Sequence, residues 1–178
     1  MSAVDFEACE QLRRESEELC FLQQLRPARD KALAALKAAT TLLGKNLLRL
    51  APFYLVLADM ALCERQLPQA EELLALVNWL LEPLDAEHAM PEEATNLLVI
   101  RMNKLYCALL LEREAFPEVL QHATHGAYLC ALLFGPKHLY TSELYFCLGA
   151  VFSLMQQTHA QPHAAGAGSA TSITGAHL

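Results

Sequence analysis

Residues 52–81, PFYLVLADMALCERQLPQAEELLALVNWLL, decide the fold. Ala, Leu, Glu and Gln dominate them, and these are good helix formers. The stretch reads as the body of two helices, 46–65 and 67–83. Pro68 starts the second, in a first turn where a missing N–H has no helical partner to lose. Two antiparallel helices touch most closely at a few positions, and those positions need small side chains. Ala58 fits in the first helix, Ala70 follows twelve residues later and Val77 seven beyond that.

The same spacing recurs outward from this pair. Cys20 is followed by Ala32 and Ala39, and Cys107 by Val119 and Gly126. Gly149 opens a fourth register without a continuation, because position 161 already lies in a stretch of different composition. The registers are 38, 49 and 42 residues apart. That exceeds the roughly 34 residues of the shortest paired-helix repeats, so longer helices or loops are expected.

Punctuation by Gly and Pro places further helices at 3–24, 28–43, 91–113, 116–134 and 139–157. Pro27 starts the second helix and Gly44 closes it in a left-handed cap. Pro83 and Pro91 bracket the connection LDAEHAM, Gly135 and Pro136 end the sixth helix, and Thr141 or Ser142 caps the last. No strand-like alternation bounded by hairpin signals is present. The fold expected is therefore all-α, a solenoid of helix pairs with about seven helices over 1–157. Residues 158–178, THAQPHAAGAGSATSITGAHL, have almost no large apolar side chain and read as a disordered low-complexity tail.

Composition narrows the function. Of 178 residues, 54% are hydrophobic and 19% charged, too apolar for a disordered chain. The best apolar run, Leu50 to Ala58, is far below the roughly 20 residues a membrane span needs. The first residues carry acids where a signal peptide needs a basic start, so a cytoplasmic protein in a reducing compartment is expected. The net charge is −7, and no Lys or Arg lies between Arg65 and Arg101. Such an acidic surface repels phosphate backbones and anionic lipid, which argues against nucleic-acid and membrane partners.

Side chains able to carry chemistry are sparse. The six cysteines form no CxxC pair, and each reads as a small free thiol within an apolar helix. His122 and His125 lie three apart on a helix, a spacing that can hold metal, but two ligands are too few. There is no glycine-rich phosphate loop, GxSxG turn or HExxH. Neither a cofactor, a metal nor a catalytic residue is expected.

Two stretches carry a resemblance. Residues 52–81 resemble a tetratricopeptide (TPR) helix pair, with L-A-x-x-x-L followed by A-E-x-L. Residues 132–152, LLFGPKHLYTSELYFCLGAVF, resemble the junction G-P-x-H, T-S, Y-x-L-G-x-V-F of long TPRs such as those of kinesin light chains. The chain resembles the TPR region of the ciliary MYND-zinc-finger TPR family, over roughly 15–157. That resemblance implies a non-enzymatic scaffold of a cilium or flagellum axoneme, associated with inner-arm dynein beside a second TPR protein. The paired cysteines of a MYND finger are missing, and the sequence stops inside a fourth repeat, as in a shortened relative or a truncated gene model. Two alternatives are a general cytosolic TPR adaptor in motor–cargo or complex assembly, and a fragment of an enzyme that carries a C-terminal TPR region.

Two binding surfaces are expected. Helical counting from Ala58 and Cys107 turns Asp59, Arg101, Lys104 and Glu112 toward the concave side. The last helix, with Leu144, Phe146 and Phe152, is apolar on more than one face, and another protein or a second copy would cover it. Trp79 reads as a core residue ahead of an exposed anchor. TPR clamps that hold a chaperone's C-terminal carboxylate use Lys and Asn on the first helices. Those positions fall at Glu17, Phe21 and Val56, with only Arg101 suitable. Glu17 would repel a carboxylate, so such a clamp is not expected.

Overall fold

The computed structural model describes residues 3–44, 47–81 and 92–160. Over these residues the protein is all-α. Its helices are α1 (Ala3–Phe21), α2 (Leu25–Leu43), α3 (Ala51–Cys63), α4 (Leu67–Leu81), α5 (Glu92–Glu112), α6 (Phe116–Phe134) and α7 (Leu139–Ala160). A 3-10 turn, Leu47–Leu50, leads into α3. The connection between Pro83 and Pro91 lies outside the described residues, as do 161–178 of the expected tail.

Three local expectations need correction. Helix α2 begins at Leu25, so Pro27 is its third residue, still within the first turn where N–H groups have no helical acceptor. Helix α7 continues to Ala160, past the expected boundary at 157. Neither Thr141 nor Ser142 caps α7. Their hydroxyls donate backwards to the carbonyls of Gly135 and Leu139, while His138 Nδ1 accepts from the Tyr140 N–H and so satisfies one free donor of the first turn. The His138 ring is held for this by stacking on Phe134, with centroids 4.9 Å apart. Gly44 closes α2 at a φ of +57°, and its N–H bonds the Thr40 carbonyl.

The helices pack as neighbours in sequence: α1 on α2, α3 on α4, α5 on α6, and α6 on α7. Helices α1, α3, α5 and α7 also touch one another in succession, whereas α2, α4 and α6 make no comparable contact among themselves. The first helices of the pairs therefore form the inner layer of the solenoid, and the second helices its outer rim.

Each pair turns the same way. Gln23, Arg65 and Glu114 have φ of 60°, 60° and 57°, a left-handed conformation unusual outside glycine. The next residue's N–H reaches back to the carbonyl five before it: Gln24 to Leu19, Gln66 to Ala61, Ala115 to Leu110. These turns align the three pairs at spacings of 42 and 49 residues. Ala58 and Cys107 lie seven residues before their turns, and Ala70 and Val119 five after. The equivalent residues of the first pair are Ser16, Ala28 and Ala35, one helical turn before Cys20, Ala32 and Ala39. Thus the first register moves by four residues.

All these positions are buried, the sequence-derived ones included: Cys20, Ala32, Ala39, Ala58, Ala70, Val77, Cys107 and Val119. A one-turn slip stays on the same face of a helix, which is why both sets lie inside. Gly126 is the tightest contact, since a Cβ there would meet Leu144 Cδ1 at 3.2 Å and Asn103 Cβ at 3.3 Å. Gly149 is the exception. It is exposed, and a Cβ would meet nothing within 4 Å, because no described element lies on that side of α7.

The core runs as a string of clusters between helices. The largest joins Leu55, Leu74, Val77, Leu98, Met102, Leu105 and Leu109 from α3, α4 and α5. Each fully buried Leu stabilises the fold by about 1.5–3 kcal/mol relative to exposure. The first pair relies instead on Ala28, Ala32, Ala35 and Ala39, whose small size brings α1 and α2 close. By length and composition alone α5, and not the run at 50–58, is apolar enough to cross a membrane. It lies in contact with α3, α4, α6 and α7, as the central helix of the core.

Candidate functional site

The inner layer brings charges from four helices together. Glu17 of α1 bonds Arg13 Nη1 at 2.8 Å and also pairs with Arg101 of α5. Arg13 is held on its other side by Glu10. Lys104, one turn beyond Arg101, pairs with Glu143 of α7 and lies 5.9 Å from the Tyr140 ring centre. Asp59 of α3 sits between these pairs, half-buried. No described residue forms a hydrogen bond or ion pair with it. Burial raises its carboxyl above the ordinary range, and Glu17 adds to this, while Arg101 and Lys104 pull the other way. The result is a nearly balanced ladder of charge with one strained carboxylate at its centre.

Of the four residues expected on this face, Asp59, Arg101 and Lys104 come together. Glu112 does not join them. It ends α5 and pairs with Arg65 in the α3–α4 turn, where it helps close the edge of the solenoid. A second edge pair repeats the pattern, Arg113 with Glu71 at 2.6 Å. Sequence counting fixes the angle of Glu112 about its helix but not how far along the axis its neighbours end.

The one-turn shift in register also alters the clamp comparison. The first Lys and Asn positions move from Glu17 and Phe21 to Arg13 and Glu17. Glu17 therefore sits where it holds both Arg13 and Arg101, and both guanidiniums are already engaged by carboxylates.

The second surface is the outward face of α7. Leu144, expected on the binding surface, is 1% exposed and packs with Ile100, Ala127 and Cys130, so it belongs to the core. Phe146 and Phe152 are 79% and 55% exposed. Tyr145 lies beside them, and Gly149 leaves a notch between the two phenylalanines. On the opposite face Leu144, Cys147, Leu148 and Val151 pack inward. The uncovered strip thus sets aromatic side chains among the polar Ser142, Ser153 and Gln156. Trp79, expected in the core, is 53% exposed on α4 instead. Its neighbours Val77 and Leu80 take the inward positions.

A polar cluster sits inside α5 and α6. Asn103 is buried; its Nδ2 donates to the Val99 carbonyl at 2.8 Å and approaches His125 Nδ1 at 3.4 Å. Its Oδ1 then accepts from His122 Nδ1–H at 2.8 Å. The His122 ring stacks on Tyr106 with centroids 4.5 Å apart, and burial lowers its pKa. The two histidines thus satisfy a buried amide. No group of three or more metal-ligating side chains occurs among the described residues.

Sequence reasoning missed Arg13 and Glu143 as members of the inner ladder, and it cast Glu17 only as a repellent. A helix-face count started from Ser16 would have found Arg13 and Glu17, which share α1 with it. It also missed that four of the six cysteines pack in pairs, Cys20 with Cys63 and Cys107 with Cys147. No protein-family model matches the sequence.

Proposed function

We propose that this chain is a non-enzymatic TPR-type scaffold that binds other proteins in an axonemal, dynein-associated complex of a cilium or flagellum. The uncovered aromatic strip of α7 carries this reading. Phe146 and Phe152 are large apolar side chains that no described element covers, and such clustered exposure marks a contact surface for another protein. The inner ladder adds a second surface, on which Asp59 keeps an uncompensated carboxylate beside two cations. The ciliary assignment rests on the resemblance of 52–81 and 132–152 to the MYND-zinc-finger TPR family. On this reading the partners are a second TPR protein and dynein subunits, and the strip of α7 serves either them or a second copy of the chain.

The test is affinity capture from ciliated cells with the full chain and with a Phe146→Glu/Phe152→Glu variant, followed by mass spectrometry. Axonemal dynein chains recovered by the natural sequence and lost by the variant support the proposal. Recovery of cytosolic motor–cargo components instead favours the adaptor reading. Light scattering on the same two proteins reports self-association: a dimer that the variant dissolves makes the second copy the occupant, and a monomer at high concentration removes it.

A further inference from the structure

Two pairs of thiols bridge the inner layer. Cys20, near the end of α1, has its Sγ 3.9 Å from Sγ of Cys63, the last residue of α3. Cys107 of α5 and Cys147 of α7 pack together in one apolar cluster, with the Cys107 thiol directed at the Val119 carbonyl 3.8 Å away. Each pair therefore joins one inner helix to the next. Each also combines a buried sulfur with a more accessible one: Cys20 and Cys107 are buried, Cys63 is exposed and Cys147 half-buried. The remaining two, Cys9 and Cys130, are buried without a cysteine beside them among the described residues.

We propose that Cys20 with Cys63 and Cys107 with Cys147 are two oxidation sites, at each of which a peroxide converts a pair of thiols into a disulfide that ties successive inner helices together.

The step balances with one peroxide per pair. The accessible thiolate, Cys63 or Cys147, attacks a peroxide oxygen, the O–O bond breaks, and a sulfenic acid forms as the first water leaves. The buried partner, Cys20 or Cys107, then attacks that sulfur. The S–O bond breaks and hydroxide departs with the partner's proton as the second water. Two thiols are oxidised by two electrons, and one peroxide is reduced to two waters. The electrostatics divide the roles in the same way. Burial, with Cys63 and Asp59 nearby, pushes the Cys20 thiol up to about 12, so it stays protonated until the sulfenic acid forms. The adjoining Cys107 thiol holds the Cys147 thiol down to about 7, in the range where a thiol attacks readily. A thiol pair already in contact needs only a small approach to reach bonding distance, whereas cysteines on remote helices could not be joined without moving the backbone.

The consequence is a solenoid whose inner layer is fixed at both ends, α1 to α3 and α5 to α7, with the junction between α3 and α5 unbridged. Loops of 43 and 40 residues would be closed in the unfolded chain, which raises the melting temperature of the oxidised protein.

The experiment treats the reduced full chain with hydrogen peroxide under native conditions. Free thiols are counted in denaturant, and non-reduced peptides are mapped by mass spectrometry. Free thiols fall from six to two, with Cys9 and Cys130 remaining. Two crosslinked peptides appear, Cys20–Cys63 and Cys107–Cys147, and the melting temperature rises and returns on reduction. A Cys63→Ser variant, altered at an exposed position, keeps Cys20 as a free thiol and still forms the other bridge. For each pair, over-oxidation of the accessible cysteine with its partner still reduced, or disulfides between separate chains, overturns the assignment for that pair.

Discussion

Glu17 on α1 and Arg101 on α5 form an ion pair that spans 84 residues of sequence and passes over an entire intervening helix pair. In a solenoid each unit ordinarily contacts only its neighbours. This contact reaches the second neighbour and is possible only because α1, α3 and α5 lie side by side on the inner layer. The carboxylate does double duty, since it also holds Arg13.

Replacing Glu17 with Gln should release Arg101 and leave Arg13 held by Glu10 alone. Each side chain of the Glu17–Arg101 pair is about a third exposed, so the loss in stability is about 1 kcal/mol or less, or a few degrees in melting temperature. The effect should shrink as salt is raised from low to about 1 M, because screening weakens the native pair and leaves the variant unchanged. Thermal melts of both proteins across a salt series measure it. Equal destabilisation at all salt concentrations would show that Glu17 acts by shape and not by charge.

Asp59 should oppose folding at neutral pH. Its folded pKa is raised above the ordinary 3.8, so the folded state binds the proton more tightly than the unfolded chain. Stability contributed by that proton is present below 3.8 and is lost as pH rises through the folded value. Asp59→Asn removes the charge while keeping the shape. The variant should therefore melt higher than the natural protein at pH 7, with the difference vanishing as the pH approaches 3.8. A variant that melts lower at pH 7 would mean that Arg101 and Lys104 stabilise the carboxylate more than burial penalises it.

Substitution by Ala at three small residues on different helices should give three different outcomes. Ser16 is buried and its hydroxyl has no hydrogen-bond partner among the described residues, so Ser16→Ala should stabilise by about 1 kcal/mol. Gly126→Ala gains helix propensity but pushes a methyl group against Leu144 and against Asn103, which its hydrogen bonds to Val99 and His122 hold in place. The net result should be a loss of about 1 kcal/mol. Gly149→Ala meets open space, so only the propensity gain of up to about 1 kcal/mol remains. Chemical denaturation of the three variants checks both signs. Destabilisation by Ser16→Ala would undo the register drawn from the turns.

The helices were legible because apolar spacing of helical period and Gly or Pro breaks agree throughout this sequence. Seven helices form among the described stretches, most within three residues of expectation, while α3 starts five residues later than expected because Leu47–Leu50 is a 3-10 turn. Register in the first pair was not legible. Ala28, Ala32, Ala35 and Ala39 repeat at three or four residues, so a one-turn slip exchanges one alanine for another and leaves the pattern intact. What fixes the register is backbone conformation at Gln23, Arg65 and Glu114, and none of these residue types announces a positive φ. The inner ladder was half legible for the same reason. Asp59, Arg101 and Lys104 were placed by counting within helices, whereas Glu17 depended on the slipped register. Trp79 and Leu144 were exchanged between surface and core, because a helix apolar on several faces gives no moment to orient it.

The three left-handed turns have a consequence for how the chain is made. Each ties a helix to the one synthesised directly after it, with hydrogen bonds that span only five residues. The first pair can thus close before α3 has left the ribosome, and every later pair finds a finished surface to settle on. Few distant segments need to search for each other, so assembly is fast for a chain of this length. The contact from Glu17 to Arg101 is made last among these steps, as a latch across units that have already formed.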